Sequence, residues 1–375
     1  MTRTEKLLAE LIALPSVNPA FLPPRHPAGG EKRMADFLAA TAAQAGLDVE
    51  FQKILPGRAN LIIRLQPRER VRQTILLAPH LDTVGADGTG FIPQRRNGRL
   101  HGRGACDTKG SVAAMFSALV ELARSRARPA TTELAFVGLI DEENAQGGSR
   151  ALAASGFRAD LAIVGEPTQL KVVTAHKGDL WLEIETHGQA AHGATPQLGK
   201  NAVLAMARVV ETLETDYAAQ LKRRKHPLLG TGSVNVGTIA GGSQPNIVPD
   251  RCIISIDRRT LPGETEAGVH REISGWLRTK KLPATIASVK LAPCLPLETD
   301  PKLPLVRQFL RSAQQARPLG VDYFCDAAVL SAAGIPSVVF GPGHIAQAHT
   351  ADEWILLSEL EQAKDLLLRF LQSQP

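Results

Sequence analysis

Four apolar runs, each too short for a helix, constrain this chain more than any other feature. They are Thr74–Ala78, Leu134–Ile140, Leu161–Val164 and Ser337–Phe340. A run without polar alternation has no wet face, so as a strand it must be covered on both sides. Helical stretches lie between the runs, at 111–124 and 149–155. Two more open the chain. The helix over 3–14 stops at Pro15, and the one over 31–45 ends at Gly46, with a Pro-rich loop (18–27) between them. Short buried strands alternating with helices give the βαβ rhythm of an α/β sandwich.

The pattern changes near residue 178. Leu180–Thr186 alternates apolar and polar residues, so one face of that strand meets water. Further strands are expected over 233–239, 252–257 and 285–291, with helices over 201–213 and 264–279. These segments predict a smaller α+β unit, 178–291, inserted into a larger one formed by 1–177 and 292–375. A chain of 375 residues is long enough for two domains of about 100–200 residues each.

Composition narrows the function classes. The net charge is +6, but the basic runs Arg95-Arg96 and Lys222–Lys225 have no aromatic cluster beside them, and aromatics make up only 4% of the chain. That argues against a nucleic-acid surface and for a solvated face with mild attraction for carboxylates. Cys106, Cys252, Cys294 and Cys325 form no Cys-x-x-Cys pair. Residues 1–14 lack the apolar core of a signal peptide, and no run reaches the roughly 20 apolar residues of a membrane span. The expectation is a cytoplasmic protein, neither bound to nucleic acid nor embedded in a membrane.

The chemistry gathers where the short strands end. The first run leads into His80-Leu81-Asp82, the second into Asp141-Glu142-Glu143, and the third into Gly165-Glu166-Pro167. After the fourth come Gly341 and His349, and Asp107 precedes the helix at 111. Ligands of open α/β sheets bind at the carboxyl ends of the strands. Each residue alone could be a solvated loop charge. Several carboxylates on one rim repel one another unless a cation stands between them. Imidazole and carboxylate without thiolate suit zinc or its neighbours.

These motifs, with Gly102–Gly110, resemble one family of metallopeptidases along nearly the whole chain. That family includes acetylornithine deacetylase, succinyl-diaminopimelate desuccinylase, carboxypeptidase G and aminoacylase. The resemblance implies a zinc-peptidase-like catalytic domain with an inserted lid or dimerisation domain. It implies two divalent ions, zinc or else cobalt or manganese. Asp107 would bridge them, with His80 and Glu166 completing one site and Glu143 and His349 the other. It also implies a cis peptide between Asp107 and Thr108. Glu142 matches the general base that activates a water shared by the ions for attack on an amide carbonyl. Asp82 matches the acid that orients His80.

In the inserted unit, His192 resembles a histidine that stabilises the oxyanion in a partner subunit's site, which implies a homodimer. Asn246 resembles a substrate contact. Arg258 resembles the arginine that grips the substrate carboxylate, with Arg259 a close competitor. Gly341 and Gly343 would let the backbone pass close to the substrate. Lys109 and Cys106 are expected to support their loop. His26, His101, His176, His226, His270 and His344 match no role.

The stretches Gly165–Thr168 and Ala175–Gly178 tilt the expected reaction towards removal of an acyl group from an N-acyl amino acid. A carboxypeptidase, a dipeptidase or a desuccinylase would share the metal site. Tyr323–Ala328 departs from the pattern of biosynthetic members and leaves the substrate open. A non-catalytic metal-binding scaffold would be expected to have lost the base, yet Glu142 is present.

Overall fold

A computed structural model of the chain describes residues 1–125, 127–289 and 293–375. The chain divides into two compact units. The first comprises Met1–Thr174, Thr299–Leu319 and Cys325–Pro375; the second comprises Ala175–Glu298 and Gly320–Phe324.

The first unit is built on a mixed sheet. Its centre is four parallel strands in the order Thr132–Gly138, Gln73–Pro79, Leu161–Gly165 and Ser337–Val339. They correspond to the four apolar runs. An antiparallel hairpin, Asp48–Leu55 with Arg58–Leu65, extends one edge. Alternate residues explain why the runs carry no wet face. Ile75, Leu77, Leu134, Phe136, Leu161 and Ile163 join a large core with the helices Arg3–Ile12, Lys32–Gln44, Lys109–Arg124 and Leu357–Gln372. Their neighbours Leu76, Ala78, Ala135, Val137, Ala162 and Val164 are buried too. The helices Gly147–Ala154 and Ala327–Ala332 pack together, and the latter lies against two of these strands. Each such leucine, isoleucine or phenylalanine contributes roughly 1.5–3 kcal/mol by burial.

The second unit is an antiparallel sheet in the order Ser233–Gly241, Arg251–Thr260, Gly178–His187 and Thr285–Ser288. Residues 180, 182 and 184 and residues 252, 254 and 256 face the helices Ala202–Thr212 and Glu266–Thr279 in one core. The last strand was expected to reach Leu291. It is seen to Ser288, and positions 290–292, with the expected boundary at 291/292, lie outside the described residues. By its contacts the second unit begins at Ala175, and Ala175 and His176 pair with Glu298 and Leu297.

His176 is fully buried, and its Nε2 has no partner among the described residues. Burial pushes its ring down to about 4. As pH falls, the unfolded chain takes the proton first, so stability is lost between about pH 6.5 and pH 4, by up to roughly 3 kcal/mol. The expected outcome is that the urea midpoint of the metal-free protein drops more between pH 7 and pH 5 than that of its His176→Gln variant. Equal drops would contradict the assignment. Among the described residues, no helix is long and apolar enough to cross a membrane.

Candidate metal centre

The four parallel strands run the same way, so the residues that follow them share one rim. His80 follows Gln73–Pro79, Asp141-Glu142-Glu143 come after Thr132–Gly138, and Glu166 follows Leu161–Gly165. Asp107 lies in an irregular loop just before Lys109–Arg124, and His349 in the segment after Ser337–Val339. The Asp107–Thr108 peptide is cis, as the resemblance implied.

The five expected ligands meet in two groups, His80–Asp107–Glu166 and Asp107–Glu143–His349. The ligating atoms of each group lie within 4.8 Å of one another. His80 Nε2 is 3.1 Å from Asp107 Oδ1 and 3.8 Å from Glu166 Oε1. His349 Nε2 is 3.0 Å from Glu143 Oε2 and 3.4 Å from Asp107 Oδ2. Each oxygen of Asp107 thus faces a different imidazole, the arrangement a carboxylate needs to join two ions.

Asp82 stands behind this pair. Its buried carboxylate lies 3.5 Å from His80 Nδ1 and accepts the backbone N–H groups of Glu142 and Glu143, both at 3.1 Å. Asn18 Nδ2 donates to it at 2.8 Å. Burial would raise the Asp82 carboxyl, but the bonds from His80, Asn18 and the Glu143 amide outweigh it and hold it below its ordinary value. Asp82 therefore orients one ligand and fixes the backbone of the acid pair that carries another.

The electrostatics fit a cation. Burial pushes the carboxyls of Glu142, Glu143 and Glu166 up; His80 offsets part of this, and the neighbouring acids add to it. Burial alone would lower the His80 ring, but Asp107 and Asp82 outweigh it and raise it well above its ordinary value. Glu143 Oε1 is buried without a hydrogen-bond partner among the described residues. Protons here stand in for positive charge, and metal binding to such a set displaces them. The donors are nitrogen and oxygen. Cys106, next in sequence, has its thiol pushed up by burial and places Sγ 3.4 Å from the carbonyl of His344. The fit is to zinc or a neighbour of zinc. Glu142 keeps part of its surface exposed, and its carboxylate makes no hydrogen bond among the described residues.

Other expected residues lie differently. His192 and Asn246 come together within the second unit: both are exposed, His192 is bridged to Ile247, and Gly193 N donates to Asn246 O at 2.7 Å. Arg258 is held inside the second unit. Its side chain is 0% exposed, and it donates to Tyr217 Oη at 3.1 Å and to Glu264 at 2.7 Å. The cause is strand alternation, because 258 shares the helix-covered face with Ile254 and Ile256. Arg259 lies on the opposite face, partly exposed, paired with Asp257. Gly341 is buried, and a Cβ there would strike Ser111 and the carbonyl of Glu166, so its glycine lets two buried segments pass close together.

Several polar residues of the rim were not anticipated. Arg58 pairs with Glu31 and, at 3.1 Å, with Asp141, whose carboxylate also takes Asn18. Asp326 is fully buried, with Oδ2 unpartnered and its carboxyl pushed up to about 7 by burial. Glu353 binds the loop that carries Asp107. No local motif marks Arg58 or Glu353; only the tertiary contacts do. A cavity of about 850 Å³ in the first unit has His349 in its wall, together with Phe21, Phe91, Ile92, Arg96 and Glu353.

Residues 76–373 match the model of peptidase family M20/M25/M40. The chain is 31% identical over 351 residues to an acetylornithine deacetylase of Myxococcus xanthus, covering 90% of each chain. Its fold is similar to that of aminopeptidase PepT of Bacillus cereus, with a TM-score of 0.80 and 22% identity over 99% of this chain and 97% of that one. It is also similar to Bacillus subtilis YXEP, described as a dinuclear metal-binding peptidase of the M20 family, with a TM-score of 0.72 and 14% identity over 99% and 97% of the two chains. This chain therefore belongs to peptidase family M20/M25/M40 and is a hydrolase of amide or peptide bonds.

Proposed function

We propose that this chain is a two-metal amidohydrolase that removes the acyl group from an N-acyl amino acid. The observation that carries the reading is the pair of ligand groups sharing Asp107, with the unengaged Glu142 carboxylate adjacent in sequence to Glu143. His80, Asp107 and Glu166 would hold one divalent ion, and Asp107, Glu143 and His349 the other; zinc is the first choice, with cobalt or manganese acceptable to the same donors. Such ions, when bound, supply Lewis acidity and a water of lowered pKa.

The chain's own residues do the rest. Glu142, its proton affinity raised by burial, takes a proton from the attacking water and passes it to the leaving nitrogen. Asp82 keeps the His80 ring oriented and the Glu142 backbone fixed. By resemblance, His192 stabilises the carbonyl oxygen as it gains charge, Asn246 contacts substrate, and the protein works as a homodimer through the second unit. With Arg258 buried against Glu264, the grip on the substrate carboxylate is assigned to the partly exposed Arg259, which would exchange its pair with Asp257 for the substrate. Cys106, Cys252, Cys294 and Cys325 are buried and form no disulfide among the described residues, in keeping with a cytoplasmic protein.

The N-acyl amino acid reading is supported by the acetylornithine deacetylase relative at 31% identity. The test is a panel of N-acetyl, N-formyl and N-succinyl amino acids and dipeptides with the metal-loaded protein. Release of acetate from an N-acetyl amino acid as the fastest reaction supports it. Turnover of dipeptides alone would replace it with a peptidase, and no turnover at all with metal bound would replace it with a binding protein.

A further inference from the structure

Glu353 accepts more hydrogen bonds from the Asp107 loop than its place in the sequence suggests. Its carboxylate is 2% exposed. Oε2 takes Arg103 Nη1 and Gly104 N, both at 2.8 Å; Oε1 takes Cys106 N at 2.8 Å and Asp107 N at 2.9 Å. Its backbone carbonyl takes Gly102 N at 3.0 Å. The loop from 102 to 107 belongs to no helix or strand, and Gly102 and Gly104 have φ of 147° and 83°. Buried N–H groups in such a loop need acceptors from elsewhere in the chain, and Glu353 provides them.

The residue four positions earlier is His349. One short segment therefore carries a metal ligand at its start and, at its end, the acceptor that fixes the backbone of another ligand. His349 Nε2 lies 3.4 Å from Asp107 Oδ2. His80 and Glu166 stand instead directly at the ends of buried parallel strands, and Asp107 is common to both groups.

We propose that Glu353 is the positioning residue that fixes the spacing between Asp107 and His349, and so sets the affinity of the Asp107–Glu143–His349 site while the His80–Asp107–Glu166 site depends on it much less. The proposal rests on the two-metal reading above. It also gives Arg103 a role: its guanidinium balances the buried carboxylate and, through Nε, holds the carbonyl of Gly85 at 2.9 Å. In Glu353→Gln, either orientation of the amide turns an NH2 group towards two N–H donors, which leaves them unpaired. Glu353→Asp keeps the charge but falls one methylene short.

The experiment is a titration of the metal-free full chain with Co(II), followed by calorimetry and by visible absorption of the bound ion. The parent is expected to bind two ions in two steps. In Glu353→Gln one step is expected to weaken by about 10–100-fold, with an altered absorption for that ion, while the other stays within about threefold. Glu353→Asp is expected to fall between the two. If the glutamine variant shows no cooperative urea transition, the aspartate variant decides. Two steps of parental affinity and absorption overturn the proposal, and so does equal weakening of both steps, which marks general loosening. A parent that binds no more than one ion would instead overturn the two-metal reading itself.

Discussion

Glu142→Gln is expected to lower the turnover of the metal-loaded enzyme by about a thousandfold, within the range that positioned acid–base groups contribute, while its metal content stays at the parental level. The two halves of this result come from different atoms. The ligand groups draw on His80, Asp107, Glu143, Glu166 and His349, and Glu142 belongs to neither. Its carboxylate is uncommitted, next to a ligand, with its proton affinity raised by burial and by Glu166 and Asp326, against the pull of His80. Glutamine keeps the shape and removes the site for the proton. Stability is expected to hold, because the substitution removes a charge that burial already disfavours. Metal analysis and steady-state kinetics on the same preparation check both halves. Loss of metal, or turnover within tenfold of the parent, would take the role of base away from Glu142.

Asp107→Asn is expected to have a broader effect: loss of both ions at concentrations that saturate the parent, and loss of nearly all activity. Asp107 is the one residue common to both groups, with Oδ1 towards His80 and Oδ2 towards His349. A neutral amide is a poorer ligand and can offer only one oxygen. The stability consequence depends on metal. Without metal, Asp107 adds to the charges that push Glu143 and Glu166 up but also supports the charged His80 ring, so removing it is expected to change the urea midpoint little. With metal at 100 times its dissociation constant, the parent gains about 2.7 kcal/mol per site and the variant does not. Denaturation with zinc and with chelator reads this difference. A variant that zinc stabilises as much as the parent would remove Asp107 from the shared position.

The parts of this site that were legible in the sequence are those where chemistry follows directly on a buried strand. An apolar run of four to seven residues places itself in the sheet, and parallel pairing then carries the next residue to the rim. His80, Glu142, Glu143 and Glu166 could be located that way before any coordinates. Asp107 and His349 lie in irregular segments, and the family resemblance rather than periodicity marked them.

Arg258 and Arg259 are told apart by a local rule. Period-two alternation from Ile254 and Ile256 puts Arg258 on the apolar face, where Tyr217 and Glu264 hold it. Gly341 shows the converse. Its need for glycine is real, but the crowding atoms belong to Ser111 and Glu166, which no local pattern could supply. The struts of the site, Asn18 on Asp82 and Asp141 and Glu353 on the Asp107 loop, span 64 to 249 positions in sequence. A carboxylate that serves backbone N–H groups so far away carries no signature beside it. The antiparallel hairpin at 48–65 and the closing helix Leu357–Gln372 were likewise outside what the apolar runs specify.

Two ions joined by Asp107 are what the whole account depends on. Anomalous diffraction from crystals grown with zinc, recorded on both sides of the zinc edge, tests this most directly. The account predicts two peaks on the sheet rim, one within bonding distance of His80, Asp107 and Glu166 and the other within bonding distance of Asp107, Glu143 and His349. A single peak, or peaks that leave Asp107 without a metal on each oxygen, would contradict it.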